Sequence, residues 1–349
     1  MRITAAVARN ARGPFSIELL ELEEPRKDEI LVRVVAAGVS HTDLLARDQD
    51  LLIPLPAVLG REGACRVERV GSAVTRLAPG DHVVLTFGVD EVDLNLSGSR
   101  SDGSSPLRRD GERVSGVFFG QSSFATHALV TERYAIKVDN DVPLPLLAAL
   151  GGDVRIGAGA VINALRPQPG SAIAIFGAGA VGLSAVMAAR LTGCHPIIAV
   201  DIKASRLQLA ETLGATHTLD PDGLDPVDAI RAISGNGAEF SVEATGLPDL
   251  TRQAVDCLAP GGACVLAGIA AADAQGTLRL NQLRLGRSVR GSLFEDCVPG
   301  LFILRLVKLY RMGRFPVDRL VTEYGLENIN QAADDILSGA AVKAVLMMP

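Results

Sequence analysis

The residues best able to do chemistry as a set lie between Ser171 and Asp201, in the run SAIAIFGAGAVGLSAVMAARLTGCHPIIAVD. An apolar β-type stretch, Ala172 to Phe176, leads into Gly177-Ala-Gly179-Ala180-Val181-Gly182. A helix-compatible segment follows, and a second apolar stretch, Pro196 to Val200, closes on Asp201. Strand, glycine turn, helix, strand and terminal carboxylate in this order form a dinucleotide-binding unit. Gly177 permits the tight turn and Gly182 lets the helix pack close to the strand. Gly179 lets backbone N–H groups, with those of Ala180 and Val181, approach a pyrophosphate, and the helix N-terminus adds partial positive charge. Asp201, nineteen residues beyond Gly182, is placed to accept hydrogen bonds from adenosine ribose hydroxyls. That predicts NAD(H) rather than NADP(H), because a 2′-phosphate would meet a like charge.

The chain around this unit has 349 residues, enough for two domains with separate cores. Ser171 to Ala189 carries no charge, but three glycines at phosphate-loop spacing and a switch from β to helix argue against a membrane span. Net charge is −6, with no basic stripe and no aromatics interleaved with Arg or Lys, which excludes nucleic acid as a partner class. Cys65, Cys194, Cys257, Cys264 and Cys297 are scattered, odd in number and never in CxxC spacing, so free thiols in a reducing cytoplasm are expected. The stretch MRITAAVARNARG lacks the apolar core of a signal peptide.

Residues 1 to about 153 read as short strands and turns. Glu29 to Gly38 and Cys65 to Val70 have the pattern of half-buried strands, and His82 to Phe87, Phe118 to Val130 and Tyr134 to Val138 continue it. Ser97 to Gly116 is polar and rich in glycine and serine, which predicts a loop. From Val154 onward strands alternate with helices, ending in a strand near Ser288 to Leu293, six strands in all. That grammar predicts a doubly wound parallel sheet. Pro299 to Met312 is helical in pattern, with Leu301, Leu304 and Leu309 predicted on its buried side, and Lys343 to Met347 returns to β character.

This order resembles the medium-chain alcohol dehydrogenases, and among them most the aryl-alcohol (benzyl-alcohol) dehydrogenase branch. The matching stretches are Val35-Ala-Ala-Gly38-Val39, His41-Thr42-Asp43, Pro56-Ala-Val-Leu-Gly60, Pro79-Gly-Asp81-His82, Phe119-Gly-Gln-Ser-Ser-Phe-Ala-Thr126, Gly177 to Gly182 and Arg314-Phe315-Pro316. The resemblance implies an α/β chain with a GroES-like β-rich catalytic domain at 1–153, completed by 295–349. It also implies a Rossmann domain with a six-stranded, doubly wound parallel sheet at 154–294. Subunits of this kind pair through the edge strand near Ser288 to Leu293, so a homodimer or homotetramer is expected.

The departures from the family are as informative as the matches. The family holds a catalytic zinc by cysteine, histidine and cysteine. Here those positions are Ser40, Arg61 in Gly60-Arg61-Glu62, and Gly152 in Leu150-Gly151-Gly152-Asp153. Arginine has no lone pair to offer a metal. The four-cysteine lobe that carries a structural zinc in most of the family is also missing, since Gly88 to Asp93 leads straight to Leu94-Asn-Leu-Ser-Gly98. No zinc is therefore expected. Arg61, held by Asp153 or Glu62, either presents N–H donors to a substrate oxygen or fills the old cavity as a salt-bridged plug. Ser40 and Thr42 offer hydroxyls; Thr42 matches the family's proton-relay position. His41 and Lys343 match residues that the family places near the cofactor pyrophosphate.

These readings predict a zinc-independent, NAD(H)-dependent oxidoreductase of the alcohol-dehydrogenase type. Its expected partner is a small, apolar or aromatic molecule: an activated carbonyl, its alcohol or a conjugated alkene. Leu51 to Pro56 and Phe118-Phe119 suit either a wall for such a substrate or plain core. Two other readings stay open: an NAD(H)-binding pseudoenzyme with a structural or regulatory role, and a zinc alcohol dehydrogenase with unusual ligands, for which Asp43, Glu62 and Asp153 are the available carboxylates.

Overall fold

Glu29–Gly38, the strand of ten residues at the heart of the first part of the chain, is buried at nearly every position and organises what surrounds it. It pairs antiparallel with Gly63–Val70, with His127–Thr131 and, at its far end, with Lys343–Met347. Register shifts between Leu31 and Val32 and between Val34 and Ala36 let one strand serve these partners. A second sheet combines Ala57–Val58, Arg2–Ala8, Phe15–Leu22, Leu107–Arg109 and Glu112–Val114. The two share one apolar core that includes Phe15, Leu44, Leu59, Phe118 and Phe124. In this computed structural model, which describes residues 1–87, 98–271, 273–292 and 297–349, the first unit comprises Met1–Gly152, Pro299–Val307 and Asp318–Pro349. The second comprises Asp153–Val298 and Lys308–Val317. Residues 308–317 therefore group with the second unit, although the sequence reading assigned all of 295–349 to the first.

The second unit is a six-stranded sheet in the order His217–Leu219, Ile197–Val200, Ile173–Phe176, Ala238–Glu243, Leu258–Leu266, Ser288–Gly291. Every neighbouring pair in it is parallel. Ile173–Phe176 and Ile197–Val200 are apolar and buried throughout, as strands covered on both faces must be. Chain order runs outward from Ile173–Phe176 on one side and from Ala238–Glu243 on the other, which makes the boundary between them the switch point where such sheets bind ligands. The uncharged run is strand, turn and the helix Ala180–Thr192, which stops where Gly193 takes a left-handed conformation. Among the described residues no helix is long and apolar enough to cross a membrane.

Two expectations need correction. The segment read as a loop carries a hairpin, Leu107–Arg109 with Glu112–Val114, joined by Asp110 and Gly111, both at positive φ (49° and 82°). Asp-Gly is a strong signal for a two-residue hairpin turn, and Leu107 and Val114 anchor it in the core. In the helix Pro299–Arg311 the buried side is Phe302, Ile303, Leu306 and Val307, whereas Leu301 and Leu304 are 70% and 43% exposed. Apolar residues occupy both stripes of this helix, so periodicity alone could not choose between them. The last strand ends at Gly291, and Leu293 and the cysteine-free segment 88–97 lie outside the described residues.

Glu18 on the strand Phe15–Leu22 points inward and gathers Arg9, Ser16 and Arg109. Burial by itself raises this carboxyl, but the hydrogen bonds from Arg9, Ser16 and Arg109 outweigh it and bring its pKa down to about 2. The folded value lies below the ordinary one of 4.5, so the stabilisation is complete above that pH and is lost as pH falls through about 2. Glu18→Gln is expected to cost about 1–2 kcal/mol at neutral pH. The gap from the parent protein should close as pH falls from about 5 to 2, read from urea denaturation at each pH.

Candidate active site

The glycine turn of the second unit is shaped by backbone contacts. Gly177 sits at φ +91°, and a Cβ added to it would lie 2.6 Å from Thr245 Cγ2. A Cβ on Gly182 would lie 1.7 Å from the Gly177 carbonyl oxygen, so only glycine allows the helix to begin this close to the strand. A Cβ on Gly179 would meet nothing within 4 Å. The turn is thus crowded below and open above, where a phosphate would meet the amides of Ala180 and Val181. Asp201 is tied to the same turn: its Oδ2 accepts the Ala178 N–H at 2.7 Å and its Oδ1 accepts the Lys203 N–H at 2.9 Å. Each oxygen keeps a lone pair for a ribose hydroxyl. Across the switch point the buried Glu243 accepts N–H bonds from Thr245 (2.7 Å) and Gly246 (3.1 Å) and shapes the opposite lip. These residues fit a nicotinamide dinucleotide.

The first unit holds a buried charge cluster. Glu29–Gly38 delivers Ser40 to the start of the helix His41–Asp48, and the turn before Gly63–Val70 delivers Arg61 and Glu62. Gly60, at φ +94°, makes that turn; a Cβ there would be 2.7 Å from the Phe124 amide nitrogen. Arg61 is 2% exposed, and its Nε–H donates to Ser40 Oγ at 3.0 Å. Its guanidinium carbon lies 5.3 Å from the Phe87 ring centre and 5.9 Å from that of Phe119, and those rings meet edge to face. Glu62 is fully buried, with Oε1 3.8 Å from Arg61 Nη2 and Oε2 2.5 Å from Lys343 Nζ. Lys343 also donates to the Val39 carbonyl at 3.2 Å. Gln121 braces the backbone on both sides, donating to the Arg61 carbonyl (2.8 Å) and accepting the Gly63 N–H (3.0 Å).

Asp43 completes this cluster. It is fully buried; its Oδ2 accepts from Ser40 N–H (2.8 Å) and Ser40 Oγ–H (2.7 Å), and its Oδ1 from Gly60 N–H (3.2 Å). Burial pushes its carboxyl up, while Arg61, the Ser40 hydrogen bonds and Lys343 pull it back.

The structure therefore brings together Ser40, Arg61 and Glu62, with Thr42 buried at the second position of the helix His41–Asp48. His41 is exposed at the head of that helix, and Asp153 opens the helix Asp153–Gly159 of the second unit. Lys343 is buried, and its ammonium lies against Glu62, because a carboxylate buried this deeply requires a cation. Of the proposed apolar wall, Phe118 and Ile53 are core and Leu52 is 74% exposed, while Phe119 packs on Arg61. Gln121 and Phe87 were not singled out as site residues, and Asp43 was named only as a carboxylate available to a metal. Only the reciprocal helix-start pattern of Ser40 with Asp43 was visible locally; the partners of Gln121 and Phe87 lie far away in sequence.

Comparison with known proteins agrees with this geometry. Residues 26–140 match the alcohol dehydrogenase GroES-like domain, and residues 180–302 match the zinc-binding dehydrogenase family. Geraniol dehydrogenase of Castellaniella defragrans is 42% identical over 98% of this chain and 97% of its own length. The crystal structure of benzyl alcohol dehydrogenase from Acinetobacter calcoaceticus is 42% identical over the full length of both chains, with a TM-score of 0.95. That of an alcohol dehydrogenase zinc-binding domain protein from Burkholderia ambifaria is 49% identical over 100% of this chain and 99% of the other, with a TM-score of 0.97. A GroES-like unit, a switch-point crevice for a nicotinamide dinucleotide and relatives of this closeness over the whole length lead to one assignment: the chain belongs to the alcohol dehydrogenase family of the medium-chain dehydrogenases and is an oxidoreductase of that type.

Proposed function

We propose that this protein is a zinc-independent, NAD(H)-dependent oxidoreductase that moves hydride to or from an activated apolar carbonyl, its alcohol or a conjugated alkene. The observation that carries the reading is the state of the three positions at which the family holds zinc. Ser40 Oγ is engaged between Arg61 and Asp43, and Arg61 has no lone pair to offer. Gly152 supplies no donor; a Cβ placed on it would lie 2.1 Å from Glu62 Oε1 and 2.8 Å from Arg61 Nη1. These residues do not fit a catalytic zinc. Among the described residues no group of three or more His, Cys, Asp or Glu side chains is arranged to hold a metal.

When bound, nicotinamide supplies or takes up the hydride. The chain's own task is to bind the substrate oxygen and stabilise charge on it. Arg61 is a permanently protonated donor, packed against two rings and flanked by a hydroxyl, suited to that task. Thr42, on the same helix, supplies a hydroxyl for the proton. Geraniol and benzyl alcohol, named for two relatives, are both primary alcohols beside a π system, and their aldehydes are activated carbonyls. Such a small, apolar or aromatic substrate suits Phe87 and Phe119. Asp201 favours NAD(H), His41 serves the cofactor, and Asp153 assists in balancing Arg61. We further place the protein in the cytoplasm as a homodimer or homotetramer joined through the sheet edge Ser288–Gly291; the buried free thiols suit a reducing compartment.

One observation favours a second reading. Arg61 is 2% exposed and ion-paired to Glu62, as a plug in an NAD(H)-binding pseudoenzyme would be.

Arg61→Ala separates the two: kcat for benzyl alcohol or benzaldehyde should fall by about 10²–10³ with NADH affinity unchanged. Full activity in that variant, or no turnover of any aldehyde, enone or quinone by the parent protein, would overturn the enzyme reading built on Arg61. Protein purified without chelator should contain far less than one zinc per chain and lose no activity with EDTA; stoichiometric zinc refutes the metal-free reading. Asp201→Ser should lower the preference for NAD over NADP, as a ratio of kcat/KM, by about tenfold or more.

A further inference from the structure

A guanidinium on a long, rotatable side chain stabilises a substrate oxygen only if its plane is held still. The rings of Phe87 and Phe119 limit its tilt, but a face contact does not fix rotation within the plane. At the inner edge of the guanidinium, Nε–H donates to Ser40 Oγ, which in turn donates to Asp43 Oδ2. The other oxygen of the same carboxylate accepts the N–H of Gly60, the residue immediately before Arg61. We propose that Asp43 is the positioning residue for Arg61, fastening its backbone through Gly60 and its side chain through Ser40, so that the outer guanidinium edge beside Gly152 is aimed at the substrate. The inference rests on the reading of Arg61 as donor to the substrate oxygen.

Helix capping alone does not account for this arrangement. A carboxylate at the third helical position needs one bond, to the amide of the capping residue, and Ser40 N–H provides it at 2.8 Å. The bonds to Ser40 Oγ and Gly60 N–H lie outside the helix and both lead to Arg61. Asp43 touches no reacting atom in this scheme; it acts through Arg61.

The design of the arrangement supplies its own control. Ser40→Ala removes the link to Arg61 and the serine side chain's half of the capping box, while leaving the Ser40 N–H and Gly60 N–H bonds to Asp43 in place. Turnover of benzyl alcohol with NAD should fall roughly tenfold to a hundredfold in kcat, with KM for NAD within about twofold. Ser40→Thr, which restores a hydroxyl, should recover most of the loss. Asp43→Asn should lose as much as Ser40→Ala, and in an Arg61→Ala background neither change should lower kcat by more than about twofold. Exchange of the Arg61 Nε–H with solvent, followed by nitrogen-15 NMR, should quicken by about tenfold or more in both single variants. Impaired Arg61→Ala beside unimpaired Ser40→Ala, a Ser40→Ala or Asp43→Asn loss that persists in the Arg61→Ala background, or unchanged Nε–H exchange overturns the role of Asp43 alone. Full activity in Arg61→Ala removes the donor reading beneath it.

Discussion

A fully buried glutamate sets the terms for the first unit. Glu62 has no access to solvent, and a carboxylate in that state is tolerable only with cations at hand. Lys343 meets one oxygen and Arg61 approaches the other. The demands then spread outward. Gly38 must remain glycine, because a Cβ there would sit 2.2 Å from Glu62 Oε2, and Gly152 is constrained from the other side. The strand Lys343–Met347 must pair at Gly38 so that Lys343 arrives beside the carboxylate. Arg61, in turn, needs its rings, its serine and the Gln121 brace to stay in one conformation.

The second unit obeys a different economy. Its crevice is built almost wholly from backbone: one glycine for a turn, one for a close approach, and two carboxylates, Asp201 and Glu243, that pin neighbouring amides. Such a site asks little of particular side chains. Relatives close to this chain over its whole length share both units.

What could be read from the sequence follows from how local each signal is. Gly177, Gly179, Gly182 and Asp201 lie inside one strand–helix–strand segment, and the structure gathers them at one turn, with Asp201 bonded to the Ala178 N–H. The six-stranded sheet was legible for the same reason. The placement of Lys343 was not, because its partner Glu62 belongs to a strand far away in the chain, and nothing near Lys343 signals a buried carboxylate. Asp43 was hidden by its own ordinariness: an acid in the first turn of a helix needs no special cause. The helix Pro299–Arg311 could not be oriented, since leucine lies on both of its sides. The Asp110-Gly111 hairpin was readable and was lost among the serines and glycines around it.

The distance along the chain between Glu62 and Lys343 has a consequence for synthesis. A ribosome releases the glutamate long before it adds the lysine, and during that interval the nascent sheet lacks the ammonium that neutralises its deepest acid. The packed sheet around Glu62 is therefore disfavoured until the strand Lys343–Met347 can pair at Gly38, and a chain still lacking it must keep that carboxylate wet.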